Sequence, residues 1–190
     1  MADYKLRKGP QDQKERGRYL AKGDASEPIT FYRIGEGFSD TNESLNPQIQ
    51  QRNYVNGKSS SITTGFQESW PISGERYVGD YANDLLSDMA DKRAKGPDAA
   101  LIMVTVNYYE EHETIPGIYH AYRQPGSYSP ESGGGGAATD SVTISGTVNG
   151  SGTPMEGWFK PTGAPSADNP DMEDRDMGIF AVDPDDLATP

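Results

Sequence analysis

Ala99-Ala100-Leu101-Ile102-Met103-Val104-Thr105-Val106 is a nearly unbroken apolar run, bounded upstream by Gly96-Pro97. Eight residues are too few for a lone helix, and the β-branched side chains favour a strand covered on both faces. The segment before it is built differently. Tyr81, Leu85 and Met89 recur every four residues, with Ala82, Leu86 and Ala90 beside them. That spacing predicts an amphipathic helix over residues 80–95 with Asp80 as N-cap, ended by Gly96-Pro97. Asp84 near its start and Lys92, Arg93 and Lys95 near its end suit the helix dipole. A lone helix of this length is marginal in water, so its Tyr81–Leu85–Met89 stripe is expected to pack on a sheet beside the apolar strand.

Outward from this pair the chain reads as strands. Ile29 to Ile34 is β-branched and aromatic; residues 36–47 form a polar loop closed by Pro47; Gln48 to Val55 runs to the turn pair Asn56-Gly57. Ser60 to Phe66 and Ser69 to Tyr77 are further candidates. After the apolar run come Ile115 to Arg123, a Gly-rich linker over 124–138, and a strand alternating Val142, Ile144, Gly146 and Val148. A hairpin turn at Asn149-Gly150 then returns through Met155 to Lys160. About eight strands and one helix predict a mainly β (α+β) fold, an antiparallel β-sandwich with the helix on one side.

The ends differ from the body. Residues 1–23 carry seven basic and three acidic side chains, and residues 165–190 carry eight acids against Arg175. Neither end shows apolar periodicity, so both read as extended arms around a domain over 24–164. The short patch Ile179-Phe180-Ala181-Val182 favours docking of the acidic end. The whole chain, 190 residues with a formal charge of −12, lacks the cationic excess that duplex DNA attracts. It has no cysteine, which excludes disulfide scaffolds, thiolate zinc sites and cysteine nucleophiles. No apolar run approaches the roughly 20 residues of a membrane helix, and the basic start has no apolar segment behind it. Gly and Pro together number 36 against 33% hydrophobic residues, a loop-rich, core-poor composition of the kind that often finishes its burial against copies of itself.

The search for chemistry yields fragments. Asn56-Gly57-Lys58-Ser59 ends like a phosphate loop, but Arg52 stands where the other glycine belongs, and a tight turn explains it. Asp40, Asn42 and Ser44 imitate the first ligands of a calcium loop, with Leu45 and Gln51 at positions that need Gly and Glu. His112 and His120 flank Pro116-Gly117, near Glu110, Glu111 and Glu113, without the second helical His of a zinc protease. No serine sits in a Gly-x-Ser-x-Gly elbow. Asp183, Asp185 and Asp186 lack the apolar setting that tunes an acid catalyst, and the Asn-x-Ser triplets at Asn42 and Asn149 carry no weight. The reading is of a protein without catalytic residues, cofactor or metal.

Residues 34–103, about 70 of 190, carry an ordered series: Ile34-Gly35-Glu36-Gly37-Phe38, Asn46-Pro47-Gln48, Arg52-Asn53-Tyr54-Val55, Thr64-Gly65-Phe66-Gln67-Glu68-Ser69-Trp70-Pro71-Ile72, then Gly79-Asp80-Tyr81. This series resembles the major tail tube protein of long-tailed, non-contractile (siphovirus-type) bacteriophages. The resemblance implies a β-sandwich with one helix, six subunits to a ring, an inner β-barrel lining a channel for DNA, and rings stacked into a tube. It implies no cofactor. The implied partners are other copies of the chain and the tape measure, terminator and distal tail proteins, in a virion tail assembled in the host cytoplasm. It places ring stacking on the loop Gly37–Val55, with Phe38, Asp40, Asn42, Asn46, Pro47 and Tyr54, and gives the arms a clamping role. Glu110, Glu111 and Glu113 are candidate acids of the channel wall, where negative charge would let phosphate slide. Two alternatives stand beside it. One is an inner-tube or tail-end part of a related injection machine. The other is a carbohydrate-binding sandwich using Trp70, Trp158 and tyrosines as stacking platforms.

Overall fold

The apolar run becomes the centre of β8 (Ala100–His112), and its alternation feeds two cores. Leu101 and Met103 point one way, and Ile102, Val104, Val106 and Tyr108 point the other; all are buried. A strand with both faces covered needs no polar alternation, which is why the run is unbroken. The computed structural model describes residues 4–6, 9–12, 15–23, 30–135, 140–162 and 176–188. The expectations on Arg7, Lys8, Lys14, on residues 136–138 and on 168–175 lie outside them.

Among the described residues there are twelve strands: β1 (Tyr4–Leu6), β2 (Arg16–Lys22), β3 (Thr30–Arg33), β4 (Phe38–Thr41), β5 (Pro47–Asn53), β6 (Ser59–Phe66), β7 (Ser69–Glu75), β8, β9 (Tyr119–Ser132), β10 (Thr143–Gly150), β11 (Met155–Pro161) and β12 (Met177–Ala181). The helices are α1 (Tyr81–Asp91) and the short α2 (Asp185–Ala188), with a 3-10 turn at Gly96–Ala99. All strand pairs are antiparallel.

The architecture is a barrel rather than the expected sandwich. Strands run β8-β2-β3-β12-β11-β9, and β9 pairs back onto β8, closing six strands into a ring. Tyr19, Phe31, Val104, Val106, Phe159 and Phe180 fill the interior. Tyr19 and Phe159 have ring centroids 4.4 Å apart, and the Tyr19 and Tyr108 hydroxyls hydrogen-bond to each other. Burial pushes the Tyr19 phenol far above the usual tyrosine range, so it stays neutral.

Strand β9 leaves the barrel and begins a second layer. Its first half pairs with β11 and its second half with β10, followed by β7 and β4. One face of this four-stranded sheet holds Trp70, Ile72, Tyr128, Ile144 and Val148 against Leu85, Leu86 and Met89 of α1. The Asp80 side chain caps the helix by accepting from the Asn83 N–H at 2.7 Å. Asn83, fully buried, then ties the helix to the end of β7. Its Nδ2 donates to Glu75 O at 2.9 Å, and its Oδ1 accepts from Tyr77 N at 3.1 Å. The helix ends at Asp91, earlier than the Gly96-Pro97 stop, because Arg93 enters the left-handed region at φ 51°.

Three further expectations change. The 124–138 linker is mostly strand, since β9 runs to Ser132. Pro125 is tolerated because its backbone faces the gap between β11 and β10, where its carbonyl accepts from Ser151 N at 2.8 Å. Gly126 is required: a Cβ there would lie 2.8 Å from Met103 Sδ and 2.9 Å from Asn149 O. The basic start is not wholly an arm, because Tyr19-Leu20-Ala21 sit in β2 at the barrel wall, nearly inaccessible. Nor is the acidic end, because β12 closes the barrel and Phe180 and Leu187 are buried, while Val182 is exposed.

Candidate assembly surfaces

Strands β5 and β6 form a separate two-stranded sheet that pairs only with itself. Every residue of β5 is exposed, and β6 is exposed apart from two half-covered positions. Its base is fastened to the body. Ser44 and Ser69 exchange backbone hydrogen bonds at 2.8 Å each way. Asn46, left-handed at φ 41°, donates from Nδ2 to Gln67 O at 3.0 Å. The tip is a tight turn in which Tyr54 N donates to Lys58 O at 2.8 Å and Gly57 takes φ 76°. That geometry accounts for Asn56-Gly57 without phosphate binding. Leu45, Ile49, Tyr54, Val55, Ile62 and Phe66 are all exposed along this one element.

The six stacking-loop residues therefore have different surroundings. Phe38 lies in β4, half-covered against the core under α1. Asp40 and Asn42 are exposed and bonded to each other, Asn42 Nδ2 donating to Asp40 Oδ2 at 3.0 Å. Asn46 clamps the hairpin base, Pro47 opens β5, and Tyr54 stands at the tip. The loop as drawn from the sequence omitted β6, the other half of the same element. The Asn-Gly turn between two extended segments was the signal for joining them. Of the helix stripe, Leu85 and Met89 are buried, whereas Tyr81 is exposed and stacks on Tyr32 at 3.6 Å. Ala82 and Leu86, both at 0% exposure, complete the buried face.

The sheet β4-β7-β10-β9 has an uncovered second face. Paired across it are Ser127 and Asn149, Ser129 and Thr147, Thr147 and Pro71, Ser145 and Ser73, with Glu75 opposite Thr143 at one end. These residues are exposed or half-exposed, and none of them is Lys or Arg. A strand pattern of small hydroxyls on one face and Val, Ile and Trp on the other leaves that face hydrophilic and smooth.

The acids Glu110, Glu111 and Glu113 sit at the far end of β8 from this face. Glu110 Oε2 accepts from Asn107 Nδ2 at 2.8 Å and lies 2.7 Å from His120 Nδ1. Glu111 accepts from Gly117 N at 2.9 Å, and Glu113 is exposed. His120 is buried between Glu110 and Glu156, 2.8 Å from the latter, with the Tyr4 ring stacked on it at 5.1 Å. His112 accepts at Nδ1 from Ile115 N at 3.1 Å. Both histidines thus hold strand ends together. Among the described residues no cluster of three or more His, Asp or Glu could hold a metal.

A cleft of about 280 Å³ opens where the hairpin leaves the body. Glu43 and Glu68 come from the hairpin base, Trp70 from β7, Met103 from β8, Tyr122 and Gln124 from β9, and Glu156 from β11. Glu43 pairs with Arg16 at 2.9 Å and with the buried Arg18 at 3.6 Å. Glu68 accepts from Trp70 Nε1 at 2.7 Å, while burial holds its carboxyl above the usual range. Burial likewise lowers the Arg18 guanidinium, which lies 5.6 Å from the centre of the Trp70 ring. Trp70 and Trp158 are 1% and 9% exposed, so neither offers a platform for stacking a sugar.

No protein-family model and no curated protein matches the chain. Solved structures similar in fold include the following two. One is a chain of the tail of an empty GTA particle, determined with C6 symmetry. It is 12% identical at a TM-score of 0.48, over 76% of this chain and 97% of that one. The other is a chain of the six-fold symmetrised anti-feeding prophage baseplate, 8% identical at a TM-score of 0.42, over 79% of this chain and 97% of that one.

Proposed function

We propose that this chain is a structural subunit of a phage-type tail tube, self-assembling into stacked rings of six and catalysing no reaction. The observation that carries the reading is the β5–β6 hairpin. An isolated two-stranded ribbon is marginal in water, and this one exposes Ile49, Ile62, Phe66 and Val55 with no core of its own. Such an element gains stability by burying those side chains on another copy. The series of residues between Ile34 and Met103 that resembles the non-contractile tail tube family includes both strands of the hairpin and supports the same reading.

On this reading the hydroxyl-lined face of β4-β7-β10-β9 is the channel wall, in preference to Glu110 and Glu111, which are bonded locally at the other end of β8. A face of Ser, Thr and Asn without cations gives phosphate nothing to hold, and duplex DNA slides past it. The subunit would sit in a virion tail, with terminator, tape measure and distal tail proteins at the ends and inside of the tube.

Sedimentation velocity and negative-stain microscopy over rising protein concentration test the reading. Rings or hollow tubes are the expected outcome. Strict monomers at high concentration, with no aggregates, refute it.

A further inference from the structure

We propose that the cleft at the hairpin base receives the hairpin tip of a second copy of this chain, with Arg52 and Lys58 placed among Glu43, Glu68 and Glu156. The proposal rests on the assembly reading above and names the contact that would propagate it.

The cleft is richer in acceptors than in donors. Three carboxylates line it, while Arg16, its lining cation, already pairs with Glu43. An independent observation points the same way. Gln124 lines the cleft, is 6% exposed, and its Oε1 has no hydrogen-bond partner; its Nε2 is engaged with Gly152 O at 3.2 Å. A buried acceptor left unpaired costs free energy, and turning the Gln124 amide outward to an incoming N–H donor relieves it. Leu45 and Tyr122, both exposed at the rim, supply apolar surface for the stem of a long cationic side chain.

The hairpin carries the complementary chemistry. Residues 47–66 hold Arg52 and Lys58 and no acid, within a chain of net charge −12. Both cations lie near the tip, beside the exposed Tyr54 and Val55. At about 3.3 Å per residue, the seven residues of β5 put the tip some 20 Å beyond the cleft at its own base. A paired ribbon does not fold back over that distance, so the tip reaches the cleft of another copy. Tip and cleft are different patches, and a contact between different patches is heterologous: it repeats in one direction and builds a polar stack.

The test is a charge swap in the otherwise native protein. One variant reverses the tip (Arg52→Glu with Lys58→Glu). The other makes the cleft rim basic at two exposed positions (Pro154→Lys with Glu156→Lys), leaving the Glu68–Trp70 contact intact and removing the Glu156 contact to His120. Each alone is expected to lose assembly at concentrations where the native chain assembles, and an equimolar mixture is expected to regain it as an alternating stack. Assembly of the tip variant at native concentration overturns the proposal while leaving the assembly reading standing. Monomeric native protein overturns both. Because the chain has no cysteine, Lys58→Cys combined with Glu156→Cys gives a second readout that does not depend on charge. Mild oxidation of the assembled double variant is expected to give a ladder of covalent oligomers. Monomer alone on a non-reducing gel, from an assembled sample, overturns the proposal even if a cleft-rim variant fails to fold.

Discussion

Strand β8 and the β5–β6 hairpin are made of the same backbone geometry and have opposite fates. β8 is buried on both faces, between the barrel interior and the core under α1. The hairpin is exposed on both faces and, among the described residues, is hydrogen-bonded to the body at its base. The difference lies in side chains: β8 alternates apolar with apolar, whereas the hairpin sets single apolar residues among Gln, Ser and Thr. The first pattern completes a fold within one chain. The second holds a ladder together and leaves its apolar residues for a partner.

The largest effect separating the two regions is expected inside the barrel. Phe159 is fully buried, against Tyr19 and Phe31. Phe159→Ala should lower unfolding stability by about 3–5 kcal/mol, read as a fall in the urea midpoint. Leu86→Ala under α1 should cost about 2–5 kcal/mol by the same measurement, and the exposed Tyr81→Ala clearly less. A Tyr81→Ala loss as large as that of Leu86→Ala would show that the Tyr32–Tyr81 stack, rather than the Leu86 face, holds the helix.

In the hairpin the balance should invert. Ile49→Ser with Ile62→Ser removes exposed apolar surface, so the unfolding of the monomer should shift by no more than about 0.5 kcal/mol. The concentration needed for assembly should rise at least tenfold. A large loss of monomer stability would mean the hairpin packs on its own body and would erase the contrast with β8.

The sequence showed one side of this contrast better than the other. The unbroken run at 100–106 and the Ala82–Met89 periodicity located the central strand and the helix, because burial demands apolar side chains wherever it occurs. The barrel was hidden in β2 and β12. Tyr19-Leu20-Ala21 sits among Arg16, Arg18 and Lys22, and Ile179-Phe180 stands beside a run of acids, so charge at strand ends outweighed three buried positions. Closure of β9 onto β8 is a long-range pairing that no local pattern encodes. It passes through Pro125-Gly126, which read as linker because their fit depends on Met103 and Asn149, distant in the chain. The hairpin surface was half legible: the Asn56-Gly57 turn marked it, but exposure of Ile49 and Ile62 cannot be told from burial by alternation alone. The cleft draws on six separate segments and left no signature in any one of them.

The smallest predicted effect concerns the junction between body and helix. Asp80 caps α1, yet its carboxyl is pushed up to about 6, first by burial and then by repulsion from Glu36, Asp84 and Asp176, against the stabilising bond from Asn83 N. The unfolded chain releases this proton near 3.8, the ordinary value. Between about pH 4 and pH 6 the folded protein therefore binds more protons than the unfolded one, and stability falls as pH rises through that window. Below it the contribution is fully present, and above it the loss is complete. Asp80→Asn keeps an N-cap acceptor of equal rank and removes the titration. Urea midpoints at pH 4, 5, 6 and 7 should then decline less steeply for Asp80→Asn than for the native chain, with the variant gaining most at pH 7. The shift is expected to be smaller than that of Leu86→Ala, because partial solvation of the carboxyl screens the repulsion. Parallel profiles for the two proteins would mean that the carboxylate is as well solvated in the fold as in the unfolded chain, and that the acids around the helix start do not sense one another.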